Sequence, residues 1–214
     1  MKTVKTIVIV LSVFTLLSVN TAIAEPTHNN EVGLYTNDDG TGATGTYIMD
    51  TPVDVYLVLT RPTDVENGDA PYSYILAYEL TLTFNPVPTG DLFLLDAVLP
   101  PENVDIGLRK DINEGFLDFT VGLASPASLP VTNESAVLVT LTFMNSNPGM
   151  TAISLGPTTR TSTPGEMDYI GENNPDIRIM YSMGGSHEAP VFMFNGEAVA
   201  VENESFGSVK ALYR

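Results

Sequence analysis

The chain contains no cysteine and no tryptophan, and its histidines are His28 and His187. Without cysteine there is no disulfide, lipoprotein anchor, thiol nucleophile or cysteine-ligated metal centre. Without tryptophan, the chain lacks the ring that flat strips for crystalline cellulose often present. Ser186 directly precedes His187, and side chains adjacent in sequence rarely aim at one another, so this pair does not indicate a catalytic triad.

Basic residues are also scarce. Nine lysines and arginines stand against 26 aspartates and glutamates, which gives a formal net charge of −17. Such a charge repels nucleic acid and anionic lipid, so neither is expected as a partner. It suits an exported domain kept in solution by its own charge.

The first 24 residues have the pattern of a secretory signal. Lys2 and Lys5 precede an apolar run over residues 7–19, and Ala22 and Ala24 give the small-residue pattern that signal peptidase reads. The run is too short to span a bilayer, so we expect cleavage after Ala24, secretion or periplasmic residence, and no membrane insertion. The remaining 190 of 214 residues, 25–214, are predicted to form a single domain, and loss of the two lysines takes the net charge to −19.

Alternation of apolar and polar residues predicts strands throughout this domain, while helical periodicity is nearly absent. Residues 53–60 and 137–143 alternate clearly, and residues 72–84 do so with Ile75 as the exception. Further predicted strands cover residues 116–123, 151–155, 177–181 and 191–194.

Two features near the C-terminus predict a hairpin and a helix. Asn195-Gly196 favours a type I′ turn between residues 191–194 and 198–201. Phe206, Val209 and Leu212 could line one face of a short terminal helix packed against the domain. Together with the strands, these features predict an all-β, two-sheet antiparallel β-sandwich of the jelly-roll or immunoglobulin-like kind with a short C-terminal helix.

Three segments resemble the cohesin and carbohydrate-binding-module superfamily. Residues 78–86, YELTLTFNP, are similar to the cohesin strand in which an alternating run ends in an aromatic residue, Asp or Asn, and Pro. Residues 136–143, AVLVTLTF, resemble the strand that closes the cohesin core with Phe, and residues 115–121, GFLDFTV, lie between them at a matching position. The resemblance covers roughly residues 50–160 and implies a jelly-roll sandwich.

The resemblance implies a non-catalytic module that binds an extracellular protein or a polysaccharide. The tail, residues 204–214, is also similar to the ending of a group of uncharacterised exported bacterial proteins. That similarity adds no activity.

Two acidic loops are candidate calcium sites. Asp38 and Asp39 precede Gly40, and Asp64, Glu66 and Asp69 surround Gly68. Carboxylate oxygens around a glycine turn suit a hard cation, although neither loop has the EF-hand spacing. The alternative is that Asp, Asn and Gly are simply turn-forming residues here.

Tyr72, Tyr74 and Tyr78 are candidate ligand-binding residues, because alternate positions of a strand project to one side and tyrosine rings stack on sugars. The same parity carries Leu80 and Leu82, so the alternative is core packing with hydroxyls at the rim.

The leading hypothesis is a secreted, non-catalytic binding module for a protein or polysaccharide. A second is an extracellular structural or surface protein that self-associates through unpaired edge strands. A third is an acidic glycoside hydrolase, which would need two carboxylates at a defined separation, one of them with a raised pKa.

Overall fold

The computed structural model describes residues 28–42, 44–45, 50–64, 68–123, 128–146, 149–172 and 176–195. The predicted leader, the second strand of the hairpin after Asn195 and the terminal helix lie outside the described residues. One turn of 3₁₀ helix occurs at Ile112–Glu114, and no helix among the described residues is long and apolar enough to cross a bilayer. The strands are β1 (Glu31–Tyr35), β2 (Thr44–Gly45), β3 (Pro52–Thr60), β4 (Thr63–Asp64), β5 (Ala70–Pro71), β6 (Tyr74–Asn85), β7 (Leu92–Val98), β8 (Asn103–Asp105), β9 (Phe116–Leu123), β10 (Leu129–Pro130), β11 (Ser135–Asn145), β12 (Thr151–Gly156), β13 (Met167–Gly171), β14 (Ile177–Ser182) and β15 (Pro190–Phe194).

Among the described strands, thirteen form one curled, mixed sheet wrapped around the core, and β4 and β5 pair as a separate two-stranded sheet. The order of the large sheet is β2-β15-β12-β6-β13-β14-β1-β3-β11-β7, with β9, β8 and β10 attached on the other side of β6. β14 pairs antiparallel with β13 and parallel with β1, and β15 pairs parallel with β2. The prediction of an all-β fold is confirmed. The prediction of two antiparallel sheets is wrong, because β14 and β1 join the two halves through a parallel pairing.

β1 closes the fold by lying between β3 and β14. All five of its residues are buried. A strand buried on both faces has no polar alternation, so the pattern that revealed the other strands is missing here.

β6 is the central strand of one half. One edge pairs with β9, and the other pairs with β13 near its start and with β12 near its end. The pairing with β13 skips Leu76, because Ile170 lies opposite Ala77 and Gly171 opposite Ile75. Such a bulge reverses the side-chain parity, so Ile75 enters the core and Tyr74 turns outward. This explains the break in alternation at Ile75.

The core is held between the two halves by aromatic packing and one hydrogen bond. The rings of Phe84 and Phe143 lie 6.2 Å apart, and those of Phe143 and Phe194 lie 5.3 Å apart, in edge-on geometry. The Tyr78 hydroxyl donates to the carbonyl of Leu138 at 2.7 Å. Leu138 is the extra residue of a bulge in β11, so its carbonyl falls outside the ladder, and Tyr78 satisfies it across the core.

A buried ion pair anchors the small β4–β5 sheet to the main sheet. The Arg178 guanidinium on β14 lies 2.8 Å from the Asp64 carboxylate on β4, and it also donates to the Tyr72 hydroxyl at 3.2 Å. Nearby, Asn30 accepts hydrogen bonds from the Thr63 backbone and the Tyr169 hydroxyl, both at 2.7 Å. Burial of these charges is tolerated because each has an opposite charge beside it.

Arg178→Met should therefore lower the free energy of unfolding by about 3–5 kcal/mol, because it removes the cation from a buried carboxylate. Urea unfolding of the full chain measures this. Arg160→Met, at an exposed arginine, is the matched control and should change stability by less than about 0.5 kcal/mol. A loss below about 1 kcal/mol for Arg178→Met would contradict the anchoring role.

Candidate functional site

The outer face of the sheet around β6 carries a groove of about 310 Å³. We call it the outer groove. Its floor comes from β6, β9 and β13, and its rim from β8, the following loop and β14. Residues that line it include Ala77, Glu79, Val104, Ile106, Thr120, Gly122, Asp168, Ile170 and Ile177.

The rim of the outer groove is aliphatic and open to solvent. Val104 is 60% exposed, Ile106 66% and Ile177 43%. Single exposed apolar residues are ordinary, but a group that borders one concave surface is typical of a binding site. The lining tyrosines, Tyr78 and Tyr169, are buried.

The loop after β8 is held close to β9 and thereby builds one side of this rim. The Ile106 amide donates to the Thr120 carbonyl at 3.0 Å, and the Asp105 carboxylate accepts from the amides of Gly107 and Thr120. A Cβ on Gly107 would lie 2.2 Å from the Asp118 carbonyl oxygen, so only glycine allows this approach.

Asp118 is the electrostatic anchor of that loop. It is buried on β9, and its carboxylate receives the Arg109 guanidinium at 2.9 Å and the Thr81 hydroxyl at 2.6 Å. Lys110 binds Asp105 at 2.6 Å and donates to the Asp118 carbonyl. Burial alone would raise the pKa of Asp118, but the hydrogen bonds from Arg109 and Thr81 outweigh it and hold that pKa below its ordinary value.

The floor of the outer groove also contains two buried acids, Glu79 and Asp168, which we call the acid pair. Glu79 on β6 lies opposite Asp168 on β13. Glu79 accepts a hydrogen bond from the Ser162 amide, and Asp168 Oδ2 accepts one from the Thr163 amide at 2.7 Å. Asp168 Oδ1 is buried and accepts no hydrogen bond. The acid pair therefore differs from Asp118 in having backbone donors but, among the residues that the structure describes, no ion-paired cation.

Burial raises the pKa of Glu79 above its ordinary value of 4.5, and the neighbouring Asp168 raises it further against the opposing hydrogen bonds from Ser162. Two carboxyl groups this close do not both ionise readily, because each charge opposes the other. Glu79 therefore takes up a proton at a higher pH than an ordinary glutamate does.

The three tyrosines considered as ligand-binding residues are not brought to one surface. Tyr72 is buried, with its ring edge-on to Tyr169 at 6.1 Å, and Tyr78 is buried with its hydroxyl on Leu138. Tyr74 is 44% exposed at the start of β6. A binding role for the three stays a prediction, with an accessible ring at Tyr74 alone.

The predicted calcium residues are dispersed. Asp38 and Asp39 are exposed, and Asp39 accepts hydrogen bonds from the Thr41 amide and hydroxyl within its own turn. Asp64 is buried against Arg178, Asp69 is exposed, and Glu66 lies outside the described residues. Among the described residues, no three acidic or histidine side chains gather as a metal site. Calcium binding at these loops stays a prediction.

Neither the acid pair nor the aliphatic rim of the outer groove has a signature in the sequence pattern. Glu79 occupies a polar position of an alternating strand, and Asp168 lies nearly ninety residues away, so no local pattern relates them. One signal was present: adjacent Arg109 and Lys110 are unusual in so acidic a chain and mark a place where buried acids need cations.

No family model matches the chain, and no curated protein matches it significantly. Solved structures do. A type II cohesin domain from the cellulosome of Acetivibrio cellulolyticus shares 16% identity, covers 79% of this chain and 96% of its own, and has a TM-score of 0.47. A type I cohesin–dockerin complex from Clostridium thermocellum, Coh-OlpA with Doc918, shares 9% identity over 72% of this chain and 94% of that chain, with a TM-score of 0.45.

A third match is the C-terminal domain of the AgI/II polypeptide BspA from Streptococcus agalactiae. It shares 11% identity over 69% of this chain and 46% of that chain, with a TM-score of 0.34. The structural matches to type I and type II cohesin domains extend over most of the chain, as the resemblance in residues 78–86, 115–121 and 136–143 predicts.

Glu79→Gln should stabilise the protein at pH 8, because it removes a buried charge and its amide can donate to Asp168. We expect a gain of about 1 kcal/mol or more in the free energy of unfolding. Since the folded pKa of Glu79 is raised, ionised Glu79 costs stability above that pKa, and the cost disappears below pH 4.5. The gain should therefore vanish near pH 4.

Urea unfolding at a series of pH values measures this difference. Glu188→Gln, at an exposed glutamate, is the control and should be neutral at each pH. A destabilised Glu79→Gln at pH 8 would show that the ionised carboxylate is a favourable part of the fold.

Proposed function

We propose that this protein is a secreted, non-catalytic binding module that docks an extracellular protein on its outer groove. The observation that carries the proposal is the exposed aliphatic rim of Val104, Ile106 and Ile177 around a concave sheet face. Burial of such side chains against an apolar partner contributes about 25 cal/mol per Å², which is the main source of affinity at small interfaces.

A protein partner fits this surface better than a polysaccharide. Sugars are held by exposed aromatic rings and dense polar contacts, whereas the accessible lining here is aliphatic and its tyrosine rings are buried. An apolar side chain from a partner matches the rim directly.

The acid pair does not favour glycoside hydrolysis. A retaining glycosidase separates its two carboxyl groups by about 5–5.5 Å, and an inverting enzyme by more, so that the sugar or a water fits between them. Glu79 and Asp168 are direct neighbours on adjacent strands and are buried, with 7% and 2% of their surface exposed. Carboxyl groups buried to this extent do not form an open cleft for a sugar ring.

Self-association is a second candidate, favoured by β7. This strand ends the described sheet order, and it exposes Phe93, Leu95 and Val98. An exposed apolar edge strand can add to another copy. Asp96 and the bulge at Leu95 weaken this route, because a charge and an irregular register both oppose strand addition.

The outer groove can be tested by closing it. A Cβ on Gly122 meets nothing within 4 Å, so Gly122→Phe fills the groove with no clash at the new Cβ, and Ile106→Lys places a charge on the rim. Peptides enriched on the wild-type chain from a random display library should lose at least about tenfold in affinity on both variants. Leu95→Lys, at an exposed aliphatic residue of β7, is the control and should retain binding.

Retention on a panel of soluble and insoluble polysaccharides is measured in parallel, with calcium and with chelator. Peptides that bind all variants equally would contradict the groove as the docking surface. Retention on one glycan class would favour the polysaccharide alternative, and oligomers abolished by Leu95→Lys would favour self-association.

A further inference from the structure

The acid pair includes a buried oxygen, Asp168 Oδ1, that accepts no hydrogen bond on the floor of the outer groove. Asp168 is 2% exposed and Glu79 7% exposed, and both line the groove. Each accepts one backbone amide, but Asp168 Oδ1 accepts none. Within the described part of the chain, no lysine or arginine forms an ion pair with either carboxylate. A buried acceptor of this kind destabilises the fold unless a donor reaches it.

The strands on either side of the pair offer no cation to it. On β9, Thr120 lies opposite Glu79, and on β14, Ile179 lies opposite Asp168. Arg178, the neighbour of Ile179, points to the other face, where it pairs with Asp64.

The covering loops carry charges, and those beside β9 are already engaged. Arg109 and Lys110 bind Asp118 and Asp105. In the segment that donates the amides of Ser162 and Thr163, Arg160 is exposed and Glu166 is half-buried. Among the described residues, the donors that reach the acid pair are therefore those of Ser162 and Thr163, and no cation is ion-paired with either carboxylate.

We infer that the acid pair receives a basic side chain, arginine or lysine, from the protein docked on the outer groove. This inference rests on the proposed function and names the chemistry of its partner. An arginine or lysine has an aliphatic stem that suits the rim and a cationic head that suits two carboxylates. The formal net charge of −17 favours a basic partner as well.

Binding of this side chain is linked to proton release. At a pH where Glu79 holds a proton, that proton leaves for solvent as the guanidinium or ammonium group arrives, so that both carboxylates accept N–H bonds from the partner. The raised pKa of Glu79 supports this exchange, since it keeps a proton on the free pair at a higher pH than an ordinary glutamate would. Affinity for a cation therefore falls as the solution becomes more acidic.

Two small probes of nearly equal shape test the inference on the full chain. The n-butylguanidinium ion carries an aliphatic stem and a cation, and n-butylurea carries the same stem and a neutral planar head. Amide chemical shifts of groove residues such as Ala77, Thr120 and Ile170 are followed by NMR during titration with each probe. At pH 7.5 we expect n-butylguanidinium to bind at least about tenfold more tightly than n-butylurea, consistent with a charge-assisted hydrogen bond.

Substitutions of the acid pair should remove this preference without closing the groove. In the double variant Glu79→Gln/Asp168→Asn the two probes should bind within about twofold of each other, while n-butylurea affinity stays within about twofold of its wild-type value. Each single variant keeps one carboxylate and should show a preference between those of the wild-type chain and the double variant, so a single variant still reports on the inference if the double variant is unstable. Gly122→Phe should abolish binding of both probes.

The outcomes separate the inference from the proposed function. If neither probe shifts groove resonances, the outer groove is not a binding surface and the proposed function fails. If both probes bind equally to the wild-type chain, the groove stands and the inference fails. A preference for the cation that persists undiminished in the single variants and in the double variant, or one that does not weaken at pH 4.5, would assign the preference to the overall surface charge and also overturn the inference.

Discussion

The structure depends on how the acids buried on the outer face of β6 and its neighbours are satisfied. One face of β6 packs into the aromatic core, and the other carries Glu79 and Thr81, which are buried as well. Buried polar groups must find partners, so two loops fold down over this face and supply them. The covering loops are therefore a consequence of the strand that they cover.

Asp118 and the acid pair are two buried acidic centres beside β6, and they are satisfied by different kinds of partner. This difference distinguishes the rim of the outer groove from its floor. Asp118 has a guanidinium, a hydroxyl and a lowered pKa, and its partners fix the loop that carries Ile106. The acid pair accepts hydrogen bonds from backbone amides, and within the described ranges no cation is ion-paired with it. Asp118 and its partners build the rim of the outer groove. The acid pair gives the floor of the groove carboxylate oxygens that can accept hydrogen bonds. The rim and the floor both result from the requirement that buried polar groups find hydrogen-bond partners.

Sequence reasoning predicted the strands whose alternation reflects one buried face, such as β3, β9 and β11. It missed β1, β7 and β13, because strands buried on both faces or set at an edge lack that period. The connection through β14 and β1 was also out of reach, since parallel pairing depends on contacts distant in the chain. The outer groove could not be predicted for the same reason: the register that sets Glu79 opposite Asp168 exists only in the folded sheet.

The central claim is that burial and the adjacent Asp168 carboxylate make the Glu79 carboxylate a strained acceptor, with a raised pKa in the free protein. Titration of the side-chain carboxyl carbons of Glu79 and Asp168 by ¹³C NMR tests it most directly, on the full chain and on Asp168→Asn. The account predicts that Glu79 in the wild-type chain titrates above its ordinary pKa of 4.5 and that this pKa falls when Asp168 is neutralised. A Glu79 pKa at or below 4.5, unchanged in Asp168→Asn, would contradict the account.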